Sequence, residues 1–285
     1  MNALDRSVAT DSVAAFPMQR RPSRRLLNLT ATIEPQRFVA IACLAFLLIL
    51  GVWWAVTEAG LVRSLFLPSP PKVLHRLISL AQSGDLANDL VTSLARIAIA
   101  FALSCALAIP GGILIGSYRV LDAFFEPVID FIRYMPVVAF VPLTILWFGT
   151  GEFQKWLIIW IGTFFQQILM VQDSVKRVPR DFVDVGRTLQ MPERNILFRI
   201  VLPSAAPGIW DGMRICLGWA WSWLVLAELV AATSGLGYRI TVAQRYFQTD
   251  TIIGYVVVLG VLGLVSDQVM KFIGRRMFKY LEAGR

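Results

Sequence analysis

Six stretches of this chain are apolar over the length that a bilayer demands, and nothing else in the sequence restricts its fold as tightly. A helix rises about 1.5 Å per residue, so a hydrocarbon core about 30 Å thick is crossed by about 20 residues. The stretches are 38–58, 92–116, 121–148, 153–171, 207–231 and 251–272, the third interrupted by Pro136 and Pro142. The expected fold is an all-α integral membrane protein with six transmembrane helices. Composition agrees. The 285 residues are 56% hydrophobic and only 16% charged, against about 45–50% and about 25% in soluble domains.

The net charge of +8 could suggest a nucleic-acid partner, but its distribution argues otherwise. With the N-terminus inside, the tail, the 117–120 loop, the 172–206 loop and the C-terminal end (with Lys271 at the membrane edge) hold 18 Lys and Arg residues. The opposite segments, with Lys155 at the membrane edge, hold 6, and the remaining three, Arg96, Arg133 and Arg214, fall within spans. Basic residues accumulate on the cytoplasmic side of membrane proteins, so the charge reads as an N-in, C-in topology signal.

Residues 1–37 are polar and Arg-rich and are expected to be a mobile cytoplasmic tail; residues 38–285 form the transmembrane domain. Between the first two spans, Val73, Leu74, Leu77, Ile78 and Leu80 fall at helical spacing beside Lys72, His75 and Arg76. That pattern reads as a short amphipathic helix at the membrane interface.

Much chemistry is missing. His75 is the single histidine, and Cys43, Cys105 and Cys216 lie far apart within apolar runs. No phosphate-cradling GxxxxGK[ST] loop occurs, nor any HExxH or GxSxG motif. No catalytic residue, metal site or cofactor is expected in this chain.

The longest interior loop carries the most information. It contains Phe182, Val185 and Leu189 at i, i+3 and i+7, a turn near Gln190 and Met191, then Pro192, and it ends in Ile200, Leu202 and Pro203. Two short amphipathic helices are expected, with Pro192 in the first turn of the second. An apolar stripe on an inside loop calls for a groove on a partner. The loop resembles the EAA loop of ABC importer permeases, E-A-A-x3-G-x9-I-x-L-P. Asp184, Val185 and Gly186 stand at the Glu-Ala-Ala positions, and Gln190 replaces the glycine. Flanking segments extend the likeness to the nitrate/sulfonate/taurine branch: Thr92 to Arg96, Ile132 to Pro136, Ala227-Glu228 and Ser234 to Tyr238.

The resemblance implies a type I importer permease of the bacterial inner membrane. It would work as a homodimer with two cytoplasmic ATPase subunits, which bind ATP and Mg, and an external substrate-binding protein. Its cargo would be a small anion such as a sulfonate, taurine, nitrate or bicarbonate. The ATPase would grip Phe182, Asp184, Val185, Gly186, Leu189, Gln190, Ile200, Leu202 and Pro203. Gln190 would cost roughly 1 kcal/mol if the glycine's left-handed geometry is kept. A stand-alone secondary transporter or channel, or a membrane-embedded enzyme, is the alternative, and co-purification with an ATPase separates them.

Polar residues inside spans are costly and mark function or interhelical bonding. Glu126, Asp130 and Arg133 share a face, as a self-satisfied ion cluster or as the lining of a path. Met135 and Pro136 follow, the proline freeing a backbone carbonyl for a hinge or serving packing alone. Gln166 and Gln167 sit in mid-span, bonded to a neighbouring helix or touching substrate. Arg214, Trp221 and Glu228 recur every seven residues on what reads as an interior face, structural or gating. Gly112 and Gly116 form a close-packing GxxxG motif.

Overall fold

The computed structural model describes residues 34–279, so most of the expected tail lies outside the described residues. The chain divides into two units, residues 1–52 and 53–285. The first contains most of α1 (Pro35–Glu58), which begins three residues earlier than expected. Its Phe46, Leu47 and Ile49 are exposed, a surface suited to lipid.

The second unit is built on three long helices: α3 (Asp85–Ser117), α6 (Glu152–Lys176) and α9 (Leu202–Ala231). The middle one, α6, packs along both of the others. Small residues permit the close approach. On one side a side chain at Gly112 or Gly116 would run into Val171 or Val175; on the other, one at Gly212 would meet Met170. The motif expected to bring helices together therefore does so, between α3 and α6.

The six expected spans each fall on helix, but their characters differ. By length and apolar content four qualify among the described residues: 36–58, 85–117, 193–231 and 249–277. A fifth arises if α4 (Arg119–Arg133) and the segment 137–148, bent by 75°, count as one span. That segment is a single 3-10 turn, Val137–Ala139, followed by α5 (Phe140–Phe148). Pro136 lies at the break, where its ring and missing N–H prevent α4 from continuing.

Helix α6 has the length but not the apolar content. Several of its polar side chains bond within the protein: Ser104 donates to Gln167 Oε1 at 2.6 Å, Gln154 donates to the Thr144 hydroxyl, and Gln172 donates to Asp122 at 2.6 Å. A helix walled by two others need not be apolar all round.

The amphipathic α2 (Pro70–Gln82) forms as expected and buries Val73 and Leu80 while Leu74 and Ile78 stay exposed. It packs on α11 (Thr249–Met277). The 232–250 connection, read from sequence as a loop, contains α10 (Leu236–Arg245).

Candidate functional site

A cavity of about 310 Å³ opens where the bent span meets the middle of α6 and α9. Arg133, Met135 and Pro136 come to it from the break after α4, Gln166 from α6, and Trp219 and Trp223 from α9, with Tyr134, Phe140, Ile161 and Phe165 completing the apolar wall. The break is what supplies this wall. A continuous helix would leave the backbone of residues 134–137 inside its own hydrogen-bonded cylinder. Gly162 admits the Trp223 ring, whose atoms would lie within 2.7 Å of any Cβ there. Arg133 forms an ion pair with Asp130 at 3.1 Å and donates to the Tyr134 hydroxyl at 2.9 Å. Glu126 turns the other way, to Lys176 of α6.

The other four path candidates stand apart from this cavity. Gln167 is fully buried against Ser104. Trp221 packs with Ile97, Ile159 and Leu224. Arg214 ties α9 to α11, at 3.4 Å from Asp211 and 3.2 Å from Asp267. Glu228 belongs to a buried polar network. The seven-residue repeat does mark an interior face, but one that holds helices together.

That network joins motifs far apart in sequence. Asp85, Asp89, Ser93 and Arg96 share one face of α3. The Arg96 fork makes two bonds to Glu152, at 2.6 and 2.7 Å, and its Nη1 donates to Glu228 at 2.8 Å. Glu228, with no exposed surface, also accepts from Ser93 and from the Gly237 N–H. Asp89 accepts from the Gly235 N–H, Arg239 and the Tyr255 hydroxyl. Gly235 has φ +109°, and a side chain there would strike the Glu228 carboxylate. Glu152 opens α6, and its carboxylate also lies 3.4 Å from Lys155. Sequence reading missed this cluster, although the spacing of four, four and three in Asp85, Asp89, Ser93 and Arg96 was a signal for it.

At the far end, α7 (Arg180–Thr188) packs on residues 193–201, ahead of the fifth expected span. The expected second short helix is not separate. Pro192 sits at its N-cap, and α8 (Glu193–Ile196) runs through a π-helical segment, Leu197–Val201, directly into α9. Gly186 is buried where a Cβ would meet Ile200 at 2.8 Å and Ile196 at 3.1 Å. Leu202 packs inward with Val171, Val175 and Ala205, and Pro203 lies in the first turn of α9. Phe182, Val185 and Leu189 point outward, 51, 58 and 69% exposed. Asp184 is exposed beside Arg187. Gln190 keeps φ +54°, the left-handed geometry at which the family pattern has glycine.

A family model described as binding-protein-dependent transport system inner membrane component matches residues 108–279. A probable ABC transporter permease protein of Brucella abortus (strain 2308) is 37% identical over 239 residues, 84% of this chain and 94% of that protein. The taurine transport system permease protein TauC of Escherichia coli (strain K12) is 33% identical over 250 residues, 86% and 90% of the two chains. An inward-facing structure of the MetNI methionine ABC transporter shares the fold, with a TM-score of 0.58 at 20% identity over 67% of this chain and 95% of the other.

Proposed function

The chain belongs to the family of binding-protein-dependent transport system inner membrane components, and from that premise we propose how it works within an importer. It is a permease subunit of the bacterial inner membrane. It pairs with a second copy, and two cytoplasmic ATPase subunits bind ATP and Mg and grip the two 179–203 loops. An external binding protein delivers a small anion, of the class that includes taurine, sulfonates, nitrate and bicarbonate. The likeness to TauC supports that class.

The observation that carries the coupling role is the two-sidedness of α7. Its inner face is locked by Gly186 onto Ile196 and Ile200, while its outer face offers Phe182, Val185 and Leu189. An exposed apolar stripe of this kind seeks a groove on a partner. Because the helical run 193–231 is unbroken, a pull on α7 reaches the core of the protein as movement of one stiff body roughly 58 Å long. The walling of α6 by α3 and α9 supports counting it as a membrane span, which makes six. The excess of basic residues on one side supports N-in, C-in. Arg133, Met135, Pro136 and Gln166 line the translocation path, and Gln167, Arg214, Trp221 and Glu228 hold the helices around it.

The test is Asp184→Lys in the reconstituted transporter. ATP-driven uptake should fall about tenfold or more, as when a charge partner is lost from an interface, with membrane insertion unchanged. Full uptake by that variant would sink the coupling assignment. The purified chain alone should hydrolyse no ATP.

A further inference from the structure

The walls of the cavity say more about the cargo than its anionic class. A small inorganic anion that leaves water must recover its lost hydration from several donors. This cavity offers few. The Arg133 guanidinium is already paired with Asp130 and gives one N–H to the Tyr134 hydroxyl, and Asp130 offsets part of its charge. The remaining surface is mainly ring and hydrocarbon, with Trp219, Trp223 and Phe140 prominent. Its volume, about 310 Å³, lies at the low end of organic-ligand pockets, about 300–1,000 Å³. The remaining Arg133 N–H groups and the Gln166 amide are left to serve one acceptor group.

We infer that the cargo is an organic anion with a flat, apolar body, an aryl or alicyclic carboxylate or sulfonate, rather than a bare inorganic ion or a short aminosulfonate. The body lies between the indoles and Phe140. The acidic group meets Arg133 and Gln166 at the break after α4. This inference rests on the permease reading and deepens it.

The experiment uses the full-length chain purified with its co-expressed ATPase in lipid nanodiscs. Benzenesulfonate, benzyl alcohol, taurine and nitrate are titrated by calorimetry. Benzenesulfonate should bind about tenfold more tightly than taurine or nitrate, the scale of one good aromatic contact. Trp219→Ala, at a half-exposed site that tolerates truncation, should remove most of that preference. Arg133→Gln should instead remove the preference for benzenesulfonate over neutral benzyl alcohol. If taurine or nitrate binds as well as benzenesulfonate, or no probe binds, the inference is overturned while the permease reading stands on the co-purified ATPase. If no ATPase co-purifies, the permease reading itself fails.

Discussion

Glu228 shows how one residue can be costly in lipid and still hold a structure together. Its carboxylate is wholly buried, yet three donors from two distant parts of the sequence converge on it: Ser93 and Arg96 of α3 and the Gly237 N–H. Removing one member of a buried ion pair leaves the other uncompensated, typically at about 3 kcal/mol or more. Here Arg96 retains Glu152 and the Ser234 carbonyl, so Glu228→Ala should cost near the low end, about 3 kcal/mol. Glu228→Gln keeps an acceptor and should cost clearly less. Thermal inactivation midpoints of the detergent-purified proteins check this. Equal midpoints for both variants and the parent would show that the network contributes nothing to stability. The importance of Glu228 was legible from its placement in an apolar run. Its partners were not, because Ser93 and Arg96 lie up to 135 positions away and meet it only when α3, α9 and the start of α10 converge.

At the scale of elements, the join between α7 and α8 is the informative one. Helix α7 ends with the Gln190 N–H bonded to the Arg187 carbonyl and the Met191 N–H to the Gly186 carbonyl, the paired bonds of a Schellman cap. The cap requires a left-handed residue, and a glutamine occupies it. The same cap closes α10, with Phe247 at φ +54° and the Gln248 N–H on the Ala243 carbonyl. Gln190→Gly should therefore raise stability by about 1 kcal/mol, and Gln190→Val should lower it, because a β-branched residue is a genuine outlier there. A raised thermal midpoint for the glycine variant is the expected outcome; a lowered one would contradict a cap under strain. The turn near Gln190 could be read from the family pattern. The fusion of α8 with α9 could not. Pro203 and Pro207 suggest a break, but Pro203 falls in the first turn of α9 just after the π segment, and Pro207 is carried inside the helix.

For the whole molecule, stability depends on how closely α3 and α9 approach α6. Gly112 has no slack: a Cβ would stand 2.6 Å from Val171 Cβ and 2.8 Å from the Ile168 backbone oxygen. Its neighbour Gly111 has only the tip of Ile168, at 3.8 Å. Gly112→Ala should then destabilise by about 1–3 kcal/mol through overpacking, and Gly111→Ala should be near neutral. The difference would appear as early aggregation of the first variant on size-exclusion chromatography after mild heating. The same close approach accounts for α6, whose Gln154, Gln167, Gln172 and Lys155 would be costly against lipid and are instead bonded inside the protein.

The sequence alone determined that several apolar helices are long enough to span a membrane, the distribution of basic charge, the α2 helix, the GxxxG contact and the outward stripe on the 179–203 loop. Each is a local pattern, repeating every three or four residues or counted along the chain, so no distant residue is needed to read it. Only the tertiary structure decided which polar residues line the cavity and which lock helices together. Gln166 and Gln167 are adjacent and chemically identical, yet one faces the cavity and the other lies buried against Ser104. Adjacent residues on a helix point about 100° apart, and what each meets depends on where α3, α9 and the broken span have come to rest.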